Sequence, residues 1–367
     1  MFGLAWLKDY LVGCTSAGSI LVWRIPNKED EEDEHDISDY KRQRTDDEQI
    51  HGSIRESRKP IVKFEASKGV LYSIGFLHRS TSLFLGVSGD EGVQLFLWSD
   101  IESLMDDPKT EATVTPLSQY RPQSVVEIND FTSDENLFLY GASGDSFGCY
   151  KWDIESEKLL KTYESPKRGY LHTLKVMPAS TTAGGHSVLL MGGEDGVLGV
   201  WDRKQDQLIE NIDIKTTMNK NSSLMTSTSK SGFTKWKDST NLWASHIHAS
   251  TQSSSWWNVC GGADDGGGYM TSWHAPTRSL AAGCATRETP NHMAFHESSL
   301  ATVANEGVVS YWSPIRAERT GRFWCTPPCS YAIAVRESDG LTAVGGVGNT
   351  IDIFENMGSK LYSLSTC

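Results

Sequence analysis

Apolar residues along this chain fall in short runs separated by Gly, Asp, Ser and Asn. That is the pattern of short strands joined by tight turns, not of long amphipathic helices. The runs recur as one unit: an apolar strand, a Gly-rich turn, and a second strand closing on an aromatic residue. The unit first reads Leu11-Val-Gly-Cys-Thr-Ser-Ala-Gly18-Ser-Ile-Leu-Val-Trp23. It returns from Leu83 through Gly92 to Trp98, from Leu137 through Gly144 to Trp152-Asp153, and from Val188 through Gly196 to Trp201-Asp202. Three further copies close at Trp273, Trp312 and Phe354. Gly stands five residues before the closing aromatic at Gly18, Gly196, Gly268 and Gly307, and six before it at Gly92 and Gly348.

The closing aromatics are 75, 54, 49, 72, 39 and 42 residues apart. The shortest intervals match the roughly 40–45 residues of a four-stranded WD-repeat blade. In such a blade Gly with Asp or Asn makes the turn between the second and third strands, and a large flat Trp fills the space between blades. Seven copies predict an all-β chain folded as a seven-bladed WD-repeat β-propeller spanning residues 1–367. Seven blades of about 42 residues need about 294, so about 73 residues must be insertions. The two long intervals supply them. Residues 27–59, within blade one, are acidic and read as a disordered insertion. Residues 215–238, between blades four and five, are rich in Ser, Thr and Lys and read as a loop. Innermost and outer strands are expected at Phe2–Trp6, Ile61–Phe64, Lys158–Tyr163, Gln207–Ile212 and Lys360–Ser365. The chain then completes each blade in order, and ring closure must rest on side-chain packing between blades one and seven.

Length and composition refine this picture. A chain of 367 residues suggests two domains by size alone, and the repeat replaces that with one ring. The net charge of −13 argues against a general phosphate-backbone binder. Seven of those units come from residues 28–48, which hold eleven acids against Lys28, Lys41, Arg42 and Arg44. That stretch reads as a solvated loop or as a contact for a basic partner, and Lys41-Arg-Gln-Arg44 resembles a short nuclear-import patch. No apolar run is long enough to span a membrane. Seven scattered cysteines and an N-terminus without a signal-peptide pattern point to a reducing compartment.

Candidate chemistry is sparse. No Gly-x-Ser-x-Gly elbow, P-loop or His-Glu-x-x-His is present. Cys325-Thr-Pro-Pro-Cys329 has no second pair, and His246-Ile-His248 has no third ligand in view, so neither predicts a metal. Gly261 to Gly268 reads as a hairpin turn. Asp90, Glu91, Asp145, Glu194, Asp195, Asp264 and Asp265 recur at one repeat position, which favours turn formation over acid–base catalysis. The lysines of the second insertion interleave with Phe233 and Trp236, a composition compatible with RNA contact, although a flexible loop is the simpler reading. Strand alternation at Arg322-Phe323-Trp324 would expose one of the two aromatics on the rim. No catalytic, cofactor or metal residue is expected, and partner contacts are not assigned. The repeat aromatics Trp23, Trp98, Trp152, Trp201, Trp273, Trp312 and Phe354 are expected to be structural.

Several segments resemble one family, THO complex subunit 6, WD-repeat proteins of the TREX mRNA-export machinery. They are Arg58-Lys-Pro-Ile-Val-Lys-Phe-Glu-Ala66, Ser88-Gly-Asp-Glu-Gly-Val93, Gly192-Gly-Glu-Asp-Gly-Val197 with Val200-Trp201-Asp202, and Trp257-Asn-Val-Cys-Gly-Gly262. The C-terminus adds Leu341-Thr-Ala-Val-Gly-Gly346, Ile351-Asp-Ile-Phe354 and Gly358-Ser-Lys-Leu-Tyr-Ser-Leu-Ser365. The two insertions are peculiar to this sequence, and the family's N-terminal helical extension has no counterpart in it. The resemblance implies a nuclear, non-enzymatic scaffold beside the coiled-coil subunits 5 and 7, with RNA contact indirect at most and no membrane. A second class stays open. Substrate receptors of cullin-RING ubiquitin ligases carry Trp-Asp-x-Arg, and this chain has Trp201-Asp202-Arg203-Lys204, with Lys where Arg belongs. An unrelated WD-repeat scaffold is the third possibility.

Overall fold

The computed structural model describes residues 1–26, 59–106, 114–122, 127–134, 137–165, 167, 169–177, 187–228, 239–249, 255–264, 266–296, 299–355 and 358–367. Seven sheets form in chain order, the four main strands of each running antiparallel. Blade one is β1 (Gly3–Leu7), β2 (Tyr10–Cys14), β3 (Ser19–Arg24) and β4 (Val62–Glu65). Blade two is β5 (Leu71–Arg79), β6 (Ser82–Gly89), β7 (Gly92–Leu97) and, after helix α1 (Trp98–Asp106), β8 (Ser118–Tyr120). Blade three is β9 (Ile128–Asp134), β10 (Phe138–Ser143), β11 (Gly148–Asp153) and β12 (Leu159–Glu164). Blade four is β13 (Leu171–Met177), β14 (Val188–Gly193), β15 (Val197–Asp202) and β16 (Gln207–Asp213). Helix α2 (Ile214–Lys220) and β17 (Met225–Ser227) lead to blade five, β18 (Leu242–Ala249), β19 (Trp256–Ala263), β20 (Gly268–His274) and β21 (Ser279–Thr286). Blade six is β22 (Pro290–His296), β23 (Ser299–Ala304), β24 (Val308–Ser313) and β25 (Glu318–Trp324). Blade seven is β26 (Ser330–Val335), β27 (Thr342–Gly346), β28 (Thr350–Glu355) and β29 (Ser359–Ser365).

The innermost strands touch in cyclic order, with β26 returning to β1, so the chain is a seven-bladed ring. Middle strands such as β14 are buried on both faces and read as continuous apolar runs. Outer strands such as β4 and β25 alternate inward and outward residues, because one face of each is solvated. The repeated turn glycine has two physical reasons, visible at Gly18 and Gly196. Their φ values of 75° and 64° lie in the left-handed region. A Cβ at either would also collide with a carbonyl of the chain passing over the turn, that of Ser67 or Leu242.

No strand is shared between the termini, so closure falls to contacts between blades one and seven. Leu4, Leu11, Leu21, Trp23 and Ile25 pack with Leu341, Ile351, Ile353 and Leu364. Four polar ties reinforce them. The N-terminal ammonium donates to the Gly346 carbonyl at 2.8 Å, and Trp6 and Trp23 donate through Nε1 to Ala334 and Ser365. The buried Arg336 guanidinium donates to the Ile25 carbonyl at 2.6 Å and bidentately to Asp339 at 2.8 and 2.5 Å. It also lies over the Trp6 ring, 5.0 Å from its centroid.

Two helices depart from the sequence reading. The outer part of blade two contains α1, whose Ile101, Leu104 and Met105 pack at helical spacing onto the core between blades one and two. The expectation of a loop over 215–238 is corrected in its first half. Asp213 caps α2 by accepting from the Thr216 amide at 2.8 Å, and Ile214 and Met218 are buried one turn apart. β17 then pairs parallel with β21, giving blade five a fifth strand. Phe233 and Trp236 lie outside the described residues, as does the acidic insertion from 27 to 58 with its Lys41-Arg-Gln-Arg44 patch.

Candidate functional site

Each closing aromatic sits between its own blade and the one before it. Trp98 lies in the cluster joining blades one and two, and Trp152 in that joining two and three. Trp201 packs beside the cluster between three and four, and Trp273 lies between four and five. Trp312 lies between five and six, Phe354 between six and seven, and Trp23 between seven and one. Trp201 differs from the others in being only partly buried, and its Nε1 has no hydrogen-bond partner among the described residues.

The turn carboxylates do more than shape their own turns. Asp90 accepts from the Val70 amide at 2.8 Å, and Asp195 from Ser165 Oγ at 2.7 Å and the Lys167 amide. Asp264 accepts from the Thr240 hydroxyl and the Asn241 amide, and Asn305 takes the Thr289 amide at 3.0 Å. In each case the donor belongs to the connection entering the same blade. The repeated acid therefore latches the incoming chain to the turn, a tertiary role that local turn chemistry does not reveal. Asp265 lies outside the described residues.

The central channel gathers side chains that are far apart in sequence. Its mouth, about 320 Å³, is lined by Phe2, Tyr72, Tyr331, His172 and Trp243. A contiguous cavity of about 500 Å³ below it holds Asp130, Lys175, His246, His248 and His292. His246 and His248 share one face of β18, and the His246 ring lies 3.9 Å from that of His292, centroid to centroid. The His248 ring stacks on Phe295. Burial and the neighbouring cations Lys175 and, for His246 and His248, the adjacent imidazoles, hold all three neutral. His246 falls well below its usual range, His248 to about 3 and His292 to about 4. Burial pushes the Asp130 carboxyl up to about 6, against hydrogen bonds from Ser73 Oγ and the Phe131 and Leu174 amides. The same burial lowers the Lys175 amine. The three neutral imidazoles of this wall can each donate a hydrogen bond to a bound group or accept one from it. The paired imidazoles were legible on β18, but His172, His292 and Asp130 join them only through the ring.

The remaining motifs are dispersed. Of the seven cysteines, Cys14, Cys149, Cys260 and Cys284 are buried, and burial pushes the Cys14 thiol up to about 12. Cys325 and Cys329 are free thiols at partly exposed positions. Among the described residues no three His, Cys, Asp or Glu side chains stand close enough to hold a metal ion. No described helix is long and apolar enough to cross a membrane. On β25, Phe323 turns inward, 4.7 Å from Phe354 between ring centroids, while Trp324 is 70% exposed beneath the Arg322 guanidinium. Arg203, which follows Trp201-Asp202, is partly buried and pairs with the buried Asp134 at 2.8 Å.

No protein-family model matches the chain. The chain is 26% identical over 316 residues to THO complex subunit 6 of Arabidopsis thaliana, covering 83% of this chain and 76% of that protein. It is 25% identical over 323 residues to THO complex subunit 6 of Homo sapiens, covering 84% and 81%. The homolog from Danio rerio is 23% identical over 323 residues, covering 84% and 85%. The chain is a sequence relative of THO complex subunit 6. Among solved structures, the WD40 β-propeller domain of Doa1 superposes with a TM-score of 0.62 at 11% identity, covering 97% of this chain and 92% of that one. That likeness concerns the fold, and it agrees with a WD40 ring of seven blades.

Proposed function

We propose that this protein is a non-enzymatic scaffold subunit of a nuclear THO/TREX complex, supporting its assembly and through it mRNA processing and export. The carrying observation is the likeness to THO complex subunit 6 of a plant and of animals over more than four fifths of the chain. The coiled-coil subunits 5 and 7 are the proposed neighbours. RNA contact is indirect, in keeping with the net charge of −13.

The ligase-receptor reading loses support at Arg203. A receptor arginine must be presented to an adaptor, but this guanidinium is engaged with Asp134 inside the blade three–four interface. Lys204, at the position that reading requires, is a point charge without the planar fork. The experiment is depletion of the protein followed by in situ hybridisation to polyadenylated RNA. Nuclear accumulation of that RNA is expected. An unchanged distribution, with the tagged protein located outside the nucleus, would overturn the proposal.

A further inference from the structure

One sector of the loop face, above blades three and four, presents aromatic surface and unpaired negative charge together. Phe147, in the turn between β10 and β11, is 44% exposed. Tyr170, in the connection into β13, is 37% exposed, and the two rings stack at 5.2 Å with an interplanar angle of 22°. Beside them a cavity of about 650 Å³ is bounded by Lys167, His172, Glu194, Asp195, Asn241 and Trp243.

The charges of the sector are unequal. Asp195 is spent on the latch already described. The Lys167 ammonium is taken by Asp213 at 2.7 Å, so it does not neutralise its surroundings. Arg168, in the same connection, lies outside the described residues. Glu194 and Glu127 have no hydrogen-bond or ion-pair partner for their carboxylates among the described residues. Glu127 is half-buried, and burial together with Asp145 and Asp90 raises its carboxyl. A positive group brought to Glu127 would relieve that repulsion.

We propose that this sector docks a basic, arginine-bearing segment of a partner protein. A guanidinium can lie on the exposed ring faces and donate to a carboxylate in its own plane, so one side chain satisfies both features of the patch. A lysine ammonium is a point charge without the planar fork, so it can sit over a ring or against a carboxylate but spans the two less well. Among the described residues the carboxylates Glu127, Asp145, Glu194 and Asp195 outnumber the cation Lys167, which disfavours a nucleic-acid phosphate as occupant.

The test is fluorescence anisotropy with a short labelled peptide of alternating arginine and glycine. The full chain should bind it, with affinity falling as salt rises. Phe147→Ala with Tyr170→Ala, and separately Glu127→Gln with Glu194→Gln, should each weaken binding about tenfold or more. Replacing the peptide's arginines by lysine should weaken it too. Melting curves of both double variants should match the parent, since the side chains removed are exposed or unpaired. Should the aromatic variant misfold, the charge variant alone decides. The proposal is overturned if the parent does not bind the peptide or binds single-stranded RNA equally well. It is also overturned if both variants bind like the parent, the result expected if the acidic insertion captured the peptide instead.

Discussion

At Arg336 four interactions converge on one buried guanidinium: the Asp339 carboxylate, the Ile25 carbonyl, the Trp6 ring and, at 3.8 Å, Asp9. Two of the three side chains and the carbonyl belong to blade one. Arg336→Met removes the cation and leaves half-buried acceptors behind, so it should lower the free energy of unfolding by about 3 kcal/mol or more in chemical denaturation. A loss near zero would mean that apolar packing alone closes the ring. The Phe323 and Trp324 pair offers a sharper contrast. Phe323→Ala should cost about 3 kcal/mol because the ring fills the blade six–seven interface. Trp324→Ala, at a position 70% exposed, should change stability by no more than about 0.5 kcal/mol. Alternation made one of these two rings legible as a rim residue, but it could not say which. Arg336 carried no signal in the sequence, since a lone arginine near a turn gains its meaning only when blade one arrives beside it.

At the scale of elements, repetition made the strands legible, and whatever occurred once stayed hidden. The strand expected at Lys360–Ser365 is β29, and that at Gln207–Ile212 is β16. Helices α1 and α2 escaped because each shows only a turn or two of apolar spacing, Ile101 to Met105 and Ile214 to Met218, inside otherwise polar stretches. The cap at Asp213 was the available signal for α2. The acidic insertion leaves and rejoins a single hairpin: β3 and β4 pair from Ser19–Glu65 to Val22–Val62, and the Ile61 amide donates to the Val22 carbonyl at 2.8 Å. Loop closure depends only weakly on loop length. Deleting residues 28–56 should therefore leave the thermal midpoint almost unchanged. A large fall would show that the insertion packs on the ring.

Across the whole molecule, the channel decides how the ring answers to acid. His246, His248 and His292 are held below their unfolded value of about 6.5, so the unfolded chain takes up protons first as pH falls. Their contribution is fully present above about 6.5 and is lost on acidification toward 4. Asp130, raised to about 6, and Glu127, also raised by burial, act in the opposite sense over part of that window, but they stand against these three imidazoles and the partly buried His172, lowered in the same way. Asp339 adds its own loss at lower pH. Burial alone would raise its carboxyl, and the Arg336 hydrogen bonds override that and hold it below the usual range. Thermal midpoints should thus fall between pH 6.5 and 4, and His248→Phe should flatten the slope. The same slope in parent and variant would contradict the assignment of His248.

That the chain is one ring was legible from the spacing of its aromatics. The composition of its channel was not, because inner-strand residues do not repeat and meet only after closure. What the ring serves rests on sequence likeness over most of its length, and one measurement tests that most directly. The full chain, tagged and purified from nuclear extract under mild salt, is analysed by mass spectrometry. Recovery of THO subunits, with the coiled-coil subunits prominent, is the expected result. Recovery of cullin-ligase adaptors with no THO subunit would contradict it.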